Sequence, residues 1–267
     1  MPTHSDTIID QFTKQAMPFS TAPGIKDAQA LKLIVDFSGA GADDTVLDVA
    51  CGPGLVVCAF ARVVQHATGI DLTPAMIERA RAVQAEQGVS NVTWQVGDVL
   101  ALPYADASFS IVTSRFAFHH LPDPLAVLGE MKRVCTLGGK VVLVDLTASP
   151  DPQKAAAFHR MEVLRDPSHV RALTLVELQD LFACSGLPAP RTAFYRLEVD
   201  VDGVLARSFP DPGHVGTIRE MFARAVDDDG MGLGTHRVGD EIRFAYSVAV
   251  LVADKPTASG APESRKI

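Results

Sequence analysis

Three stretches of the chain place a carboxylate where a strand would end. Asp48 opens Asp48-Val49-Ala50-Cys51-Gly52-Pro53-Gly54, Asp71 closes Ala67-Thr68-Gly69-Ile70-Asp71, and Asp98 follows Val92-Thr93-Trp94-Gln95-Val96-Gly97. Glycine has no Cβ, so a turn built on Gly52 and Gly54 lets the backbone approach a bound molecule closely. Alone, such a turn is often only a turn. The carboxylate of Asp71 can accept hydrogen bonds from both hydroxyls of a ribose, a charge-assisted bidentate contact. Asp98 can accept from an adenine amino group. Each acid also has a plain reading: a charge favoured at a helix N-terminus for Asp71, a turn residue for Asp98. Together, the turn and the two acids on three successive segment ends point to an adenosine-bearing ligand.

The elements that must carry these residues alternate. The short apolar run at 45–49 reads as a buried strand, and 67–71, 92–96, 109–113 and 140–146 read as further strands. Helices are expected at 55–64, from Pro74 to about Gly88 with Thr73 as N-cap, and at 124–134. Buried strands alternating with amphipathic helices imply a mostly parallel sheet covered on both faces. Ligands of such sheets bind beyond the carboxyl ends of the strands. Before this block, 5–38 reads as helical, interrupted by Pro18. After it come helices at 151–165 and 175–184, the second capped by Thr174, a strand at 191–201, a helix at 214–226 and a strand at 243–253. From Lys255 onward the chain is polar and is expected to be a disordered tail.

The order of motifs resembles the class I S-adenosylmethionine-dependent methyltransferases, in particular the ubiquinone/menaquinone-biosynthesis C-methyltransferases and related natural-product enzymes. The matching residues are Val46 to Gly54, Gly69 to Met76, Gly97 to Tyr104, Phe116 to Leu121, and Leu137 to Lys140. The resemblance implies an α/β, Rossmann-like fold: a seven-stranded, mostly parallel sheet with helices on both faces and a substrate-capping insertion. It implies one domain over 1–254, with a helical cap at 1–40, a cofactor-binding core at 45–147 and lid segments at 150–172 and 205–240. By position, Asp48, Ala50, Gly52 and Gly54 would contact the methionine part of S-adenosylmethionine. Asp71 would hold the ribose, Leu72 and Met76 would flank the adenine, and Gly97, Asp98 and Val99 would bind its edge. Ser114 or Arg115 would sit near the methionine moiety. Ala50 departs from the commonest pattern, which has glycine there.

The implied reaction moves a methyl group to a small acceptor, by C- or O-methylation of a phenolic, quinone-like or natural-product molecule. A base is needed only where the acceptor loses a proton. His119 and His120 are the candidates, since histidine titrates in the useful range; their plain reading is packing, or bonding to a backbone carbonyl. A second group, His159, Arg160, Glu162, Arg165, Asp166, His169 and Arg171, is placed to form a lid. His169 or Arg171 would meet an anionic or phenolic acceptor, with His159 beside them. Phe12, Phe19 and Phe158 would add apolar walls, their plain reading being ordinary core. Gly230, Gly232 and Gly234 would let a second flap carry His236 and Arg237 inward.

Two other readings stand beside this one. A nicotinamide-dependent oxidoreductase would need a third glycine where Val57 stands. A protein of this fold could also use the bound cofactor for a non-methylating reaction, or bind it silently. The chain has 267 residues and a net charge of −8, which speaks against a nucleic-acid partner, since phosphate contacts need clustered Lys and Arg. Four cysteines, with no CxxC pair, read as free thiols of a cytoplasmic protein. No metal site and no membrane span are expected. A homodimer stays open.

Overall fold

The computed structural model describes residues 3–257. Its first half builds α1 (His4–Thr21), α2 (Ala28–Ser38), β1 (Thr45–Val49), α3 (Leu55–Ala61), β2 (His66–Asp71), α4 (Pro74–Gln87), β3 (Val92–Val96), β4 (Phe109–Arg115) and α5 (Pro124–Val134). The second half adds β5 (Cys135–Leu146), α6 (Pro152–Arg165), α7 (Leu175–Cys184), β6 (Arg191–Asp200), α8 (Val201–Ser208), α9 (Pro212–Asp228), β7 (His236–Val238) and β8 (Glu241–Asp254).

The strands run in the order β3-β2-β1-β4-β5-β8-β6. The five strands from β3 to β5 pair in parallel, and β8 lies antiparallel to both β5 and β6. The expected seven-stranded path is present, and β7 adds an eighth strand paired with the start of β8. Successive side chains leave opposite faces of a strand. Val46, Ile111 and Val142 therefore enter one core with Phe60 and Phe244, while Leu47, Val112 and Leu143 enter the other with Leu128 and Phe182. The chain winds outward from β1 to β3, then returns to lay β4 against the free side of β1. That reversal opens a crevice at the carboxyl ends of β1 and β4, the switch point where ligands of open α/β sheets bind.

Several expectations are revised. Pro18 does not end the first helix, which continues to Thr21. The Ser20 and Thr21 hydroxyls donate to the Met17 carbonyl in its last turn. Thr73 holds the N-cap position of α4, yet its hydroxyl makes no capping bond. Helix α8 was missed; Asp200 caps it by accepting from the Gly203 N–H. Lys255, expected to open a disordered tail, is tied down instead: its ammonium donates to the Lys132 and Cys135 carbonyls at 2.8 and 2.7 Å. The remainder of the expected tail, 258–267, lies outside the described residues. Among the described residues no helix is long and apolar enough to cross a membrane.

Candidate active site

The turn after β1 is held by the acid that ends β2. Asp71 accepts the Gly52 N–H on one carboxylate oxygen and the Thr73 N–H on the other, both at 2.8 Å. Burial pushes the Asp71 carboxyl up, and the N–H groups of Thr73 and Gly52 oppose that shift. Asp48 is 1% exposed, and its Oδ1 is buried without a partner. Burial pushes its carboxyl well above the usual range; the Arg115 charge works against this and the Asp71 charge adds to it. Arg115, also buried, donates to the Ile25 carbonyl at 2.9 Å and to the Tyr195 hydroxyl at 3.3 Å. Its Nη2 is left unpartnered.

These groups surround a cavity of about 190 Å³. β1 and its turn contribute Asp48, Ala50 and Gly52; the exit of β2 contributes Asp71, Leu72 and Met76. Asp98 and Val99 line it after β3, Arg115 at the end of β4, His120 beyond that strand, and Phe19 from α1. Asp98 is exposed at the rim, its Oδ1 accepting the Leu100 N–H at 2.9 Å. Ala50 and Phe116, both lining the cavity, hold φ of 57° and 58°. The left-handed region costs an L-residue about 1–2 kcal/mol, so β1 and β4 both exit into the site through strained backbone. Glycine suits position 50 for the same reason.

Three expected contacts do not reach the cavity. Gly54 opens α3 in a left-handed conformation, and a Cβ there would lie 2.4 Å from the Trp94 ring, so packing of α3 on β3 demands this glycine. Gly97 packs against Ile70, where a Cβ would come within 2.9 Å. Ser114 is buried and donates to the Val49 carbonyl at 2.8 Å, tying β4 to β1.

A second chamber of about 90 Å³ adjoins the first, with Phe12, Phe19, Ile25, Phe116 and His120 common to both. His119 lines this chamber alone. Its Nδ1 lies 2.5 Å from Asp145 Oδ1, and its backbone N–H donates to Asp145 Oδ2 at 3.0 Å. A carboxylate on Nδ1 places the ring proton there and leaves Nε2 as the acceptor. Burial acts against the charged ring, but the Asp145 carboxylate and, less strongly, Glu162 outweigh it and raise the His119 pKa. His120 differs: its Nδ1 faces the Ser168 carbonyl at 3.0 Å, and burial plus the neighbouring His119 bring its pKa down to about 4. His120 is therefore a neutral ring at ordinary pH.

The expected lid contributes less than its sequence suggests. Phe158 is core, 1% exposed and packed near Tyr246. His159 and His169 lie against each other behind His119, with tilted rings whose centroids are 5.4 Å apart, and line neither cavity. Arg171 points away to an ion pair with Glu177 at 2.7 Å. His236 lies on the exposed β7 with Arg237 and does not reach inward. What does reach the chamber is the end of α6, with Arg165 and Asp166, and the end of α8, with Arg207 and Ser208. The roof is α1: His4 Nε2 donates to the His120 carbonyl at 2.8 Å, and Gln15 donates to Asp166 at 3.1 Å. Sequence reasoning missed Asp145, Tyr195 and Arg207. Only for Asp145 was there a signal, a charge inside the apolar run Val141-Val142-Leu143-Val144-Asp145-Leu146.

Comparison with known proteins fits this geometry. The methyltransferase domain model matches residues 47–143. The uncharacterized methyltransferase YcgJ of Bacillus subtilis is 34% identical over 196 residues, covering 73% of this chain and 78% of that protein. Its crystal structure superposes with a TM-score of 0.78 over 85% of this chain and 98% of YcgJ, at 30% identity. The ubiquinone/menaquinone biosynthesis C-methyltransferase UbiE of Bdellovibrio bacteriovorus is 37% identical over 116 residues, covering 43% of this chain and 49% of that protein. With β1 and β4 opening onto a crevice walled by Asp48, Asp71 and Arg115, and with these relatives, the chain belongs to the class I methyltransferases.

Proposed function

We propose that this enzyme transfers the methyl group of S-adenosylmethionine to a small organic acceptor, by C- or O-methylation. The observation that carries the reading is a pair of adjoining cavities, one walled by strand-end carboxylates and the other lined by apolar side chains with His119 and His120. The residues fit the cofactor. The buried, unpartnered Asp48 Oδ1 suits its ammonium, and the unpartnered Arg115 Nη2 suits its carboxylate. Asp71 keeps a second lone pair on each oxygen for the ribose hydroxyls. Leu72 and Met76 would flank the adenine, with Asp98 and Val99 at its edge.

When bound, S-adenosylmethionine supplies a methyl group already made electrophilic by the sulfonium. The protein's share is to orient an acceptor and exclude water. Phe12, Phe19 and Phe116 form the apolar wall common to both cavities. His119 Nε2 is the atom that takes a proton from an acidic acceptor, because Asp145 fixes its partner nitrogen as the donor. YcgJ is itself uncharacterized, and the UbiE match spans about half of that enzyme. The acceptor class is therefore read from this chain's own chamber.

The test is titration calorimetry with S-adenosylmethionine, followed by a labelled-methyl assay against a metabolite pool. Binding followed by label in a product is expected. No binding would overturn the reading, and binding with a metabolite converted but unlabelled would favour a non-methylating reaction.

A further inference from the structure

The second chamber is lined by both apolar and polar side chains. Val199, Val204, Leu146 and Leu197 line it with the shared phenylalanines. Its polar groups are nearly all engaged within the protein. Arg165 donates to Glu162 through Nε at 3.0 Å and through Nη2, and Tyr246 donates to the same carboxylate at 2.8 Å. Asp166 accepts from the Ser168 N–H at 2.9 Å, the Ser168 hydroxyl and Gln15. His119 is bound to Asp145 and His120 to Ser168.

Arg207 is the exception. It stands in the last turn of α8, half-buried, and lines only this chamber. Among the described residues no carboxylate oxygen lies within 4.0 Å of its guanidinium, and no hydrogen bond engages it. The nearby acid, Asp200, accepts the Gly203 N–H, and its carboxylate and Arg207 Nη1 flank the same side of Gly203 without forming an ion pair. A chain with net charge −8 thus keeps one unpaired guanidinium at the wall of this chamber. A guanidinium presents a planar fork of donors matched to a carboxylate, and the pairing strengthens where water is thin.

Resting on the methyl-transfer reading, we propose that the acceptor is a small apolar carboxylic acid whose carboxylate is held by Arg207 while its apolar body lies between the chamber walls. One free cation balances one negative charge. A phosphate dianion would leave a charge uncompensated in a partly dry site. A cavity of about 150 Å³ is what admits a benzene ring. At about 90 Å³ the chamber alone is smaller, so the acid is of single-ring size or less and reaches the shared wall.

The probes are phenylacetate and its neutral isostere phenylacetamide, titrated by ligand-observed NMR into the enzyme saturated with S-adenosylhomocysteine. Wild type is expected to bind the carboxylate about tenfold or more tightly than the amide. Arg207→Gln should abolish that preference and leave the amide unchanged; Arg207→Lys should restore part of it. An unchanged thermal midpoint checks that Arg207→Gln is folded. Equal binding of the two probes, no binding of the carboxylate, or a preference that survives Arg207→Gln would overturn the proposal. Because S-adenosylhomocysteine binding is read separately by calorimetry, loss of the cofactor site is distinguishable from loss of the acid site.

Discussion

Asp71 gives both of its carboxylate oxygens to backbone N–H groups, one from the turn after β1 and one from the start of α4. It therefore shapes the cradle before any ligand arrives. Asp71→Ala should weaken S-adenosylmethionine binding by about 1.5–3 kcal/mol, the range for hydrogen bonds to charged groups; calorimetry reads it, and unchanged affinity would sink the ribose assignment. Asp145 acts through His119. Asp145→Asn should lower turnover about a hundredfold, the lower end of what a general base contributes, with cofactor affinity unchanged. Equal losses in both would mark the pair as structural. The strand-end acids were legible in the sequence because a carboxylate after an apolar run has few plain explanations. The charge of Asp145 inside an apolar run is visible too, but its pairing with His119 is not, because that partner lies 26 residues earlier and only the pairing of β5 with β4 brings them together.

Among the elements, α1 carries more of the site than its sequence announces. Phe12 and Phe19 wall both cavities as the sequence suggests, and His4 and Gln15, which it does not single out, fasten the helix to the segments beneath. Helical periodicity tells which face is apolar but not which neighbour that face meets. The same limit explains α6, where His159 was expected in the pocket and instead lies against His169. Strands β1 and β5 were readable because strands buried on both faces appear as near-continuous apolar runs, whereas β3, at the sheet edge, is half-exposed. Helix α8 was hidden beside β6, with no break in polarity between them. If α1 closes over the ligand, its amide hydrogens should exchange more slowly in the presence of S-adenosylhomocysteine. Hydrogen-exchange mass spectrometry tests this; protection confined to other elements would place the ligand elsewhere.

Across the molecule, four histidines come together behind the site. Ring centroids of His119 and His120 lie 4.3 Å apart, and His169 lies 5.7 Å from His119 and 5.4 Å from His159. His169 is buried with both ring nitrogens unpartnered, and burial brings its pKa down to about 3; burial, with His119, brings His120 down to about 4. In the unfolded chain both titrate near 6.5. As pH falls from about 6.5 toward 4 the unfolded state takes up protons that the folded state refuses, so stability is lost; above 6.5 it is fully present. His119, whose pKa is raised, works the other way. Its contribution is complete below 6.5 and fades as pH rises through its folded value. The raised carboxyls of Asp48 and Asp71 work against the buried histidines over the same range, in wild type and variant alike, so between pH 7 and pH 5 the thermal midpoint of His169→Phe should fall less than that of wild type. A drop of equal steepness in the variant would contradict the assignment.

The binding of Lys255 to the carbonyls at the entry of β5 puts the last described residues at the sheet margin opposite the crevice, while His4 and Ser5 line the cavity. A purification handle fused upstream of Thr3 would hang at the doorway and compete with ligand entry. The same handle joined directly after Thr257 would start from the opposite margin.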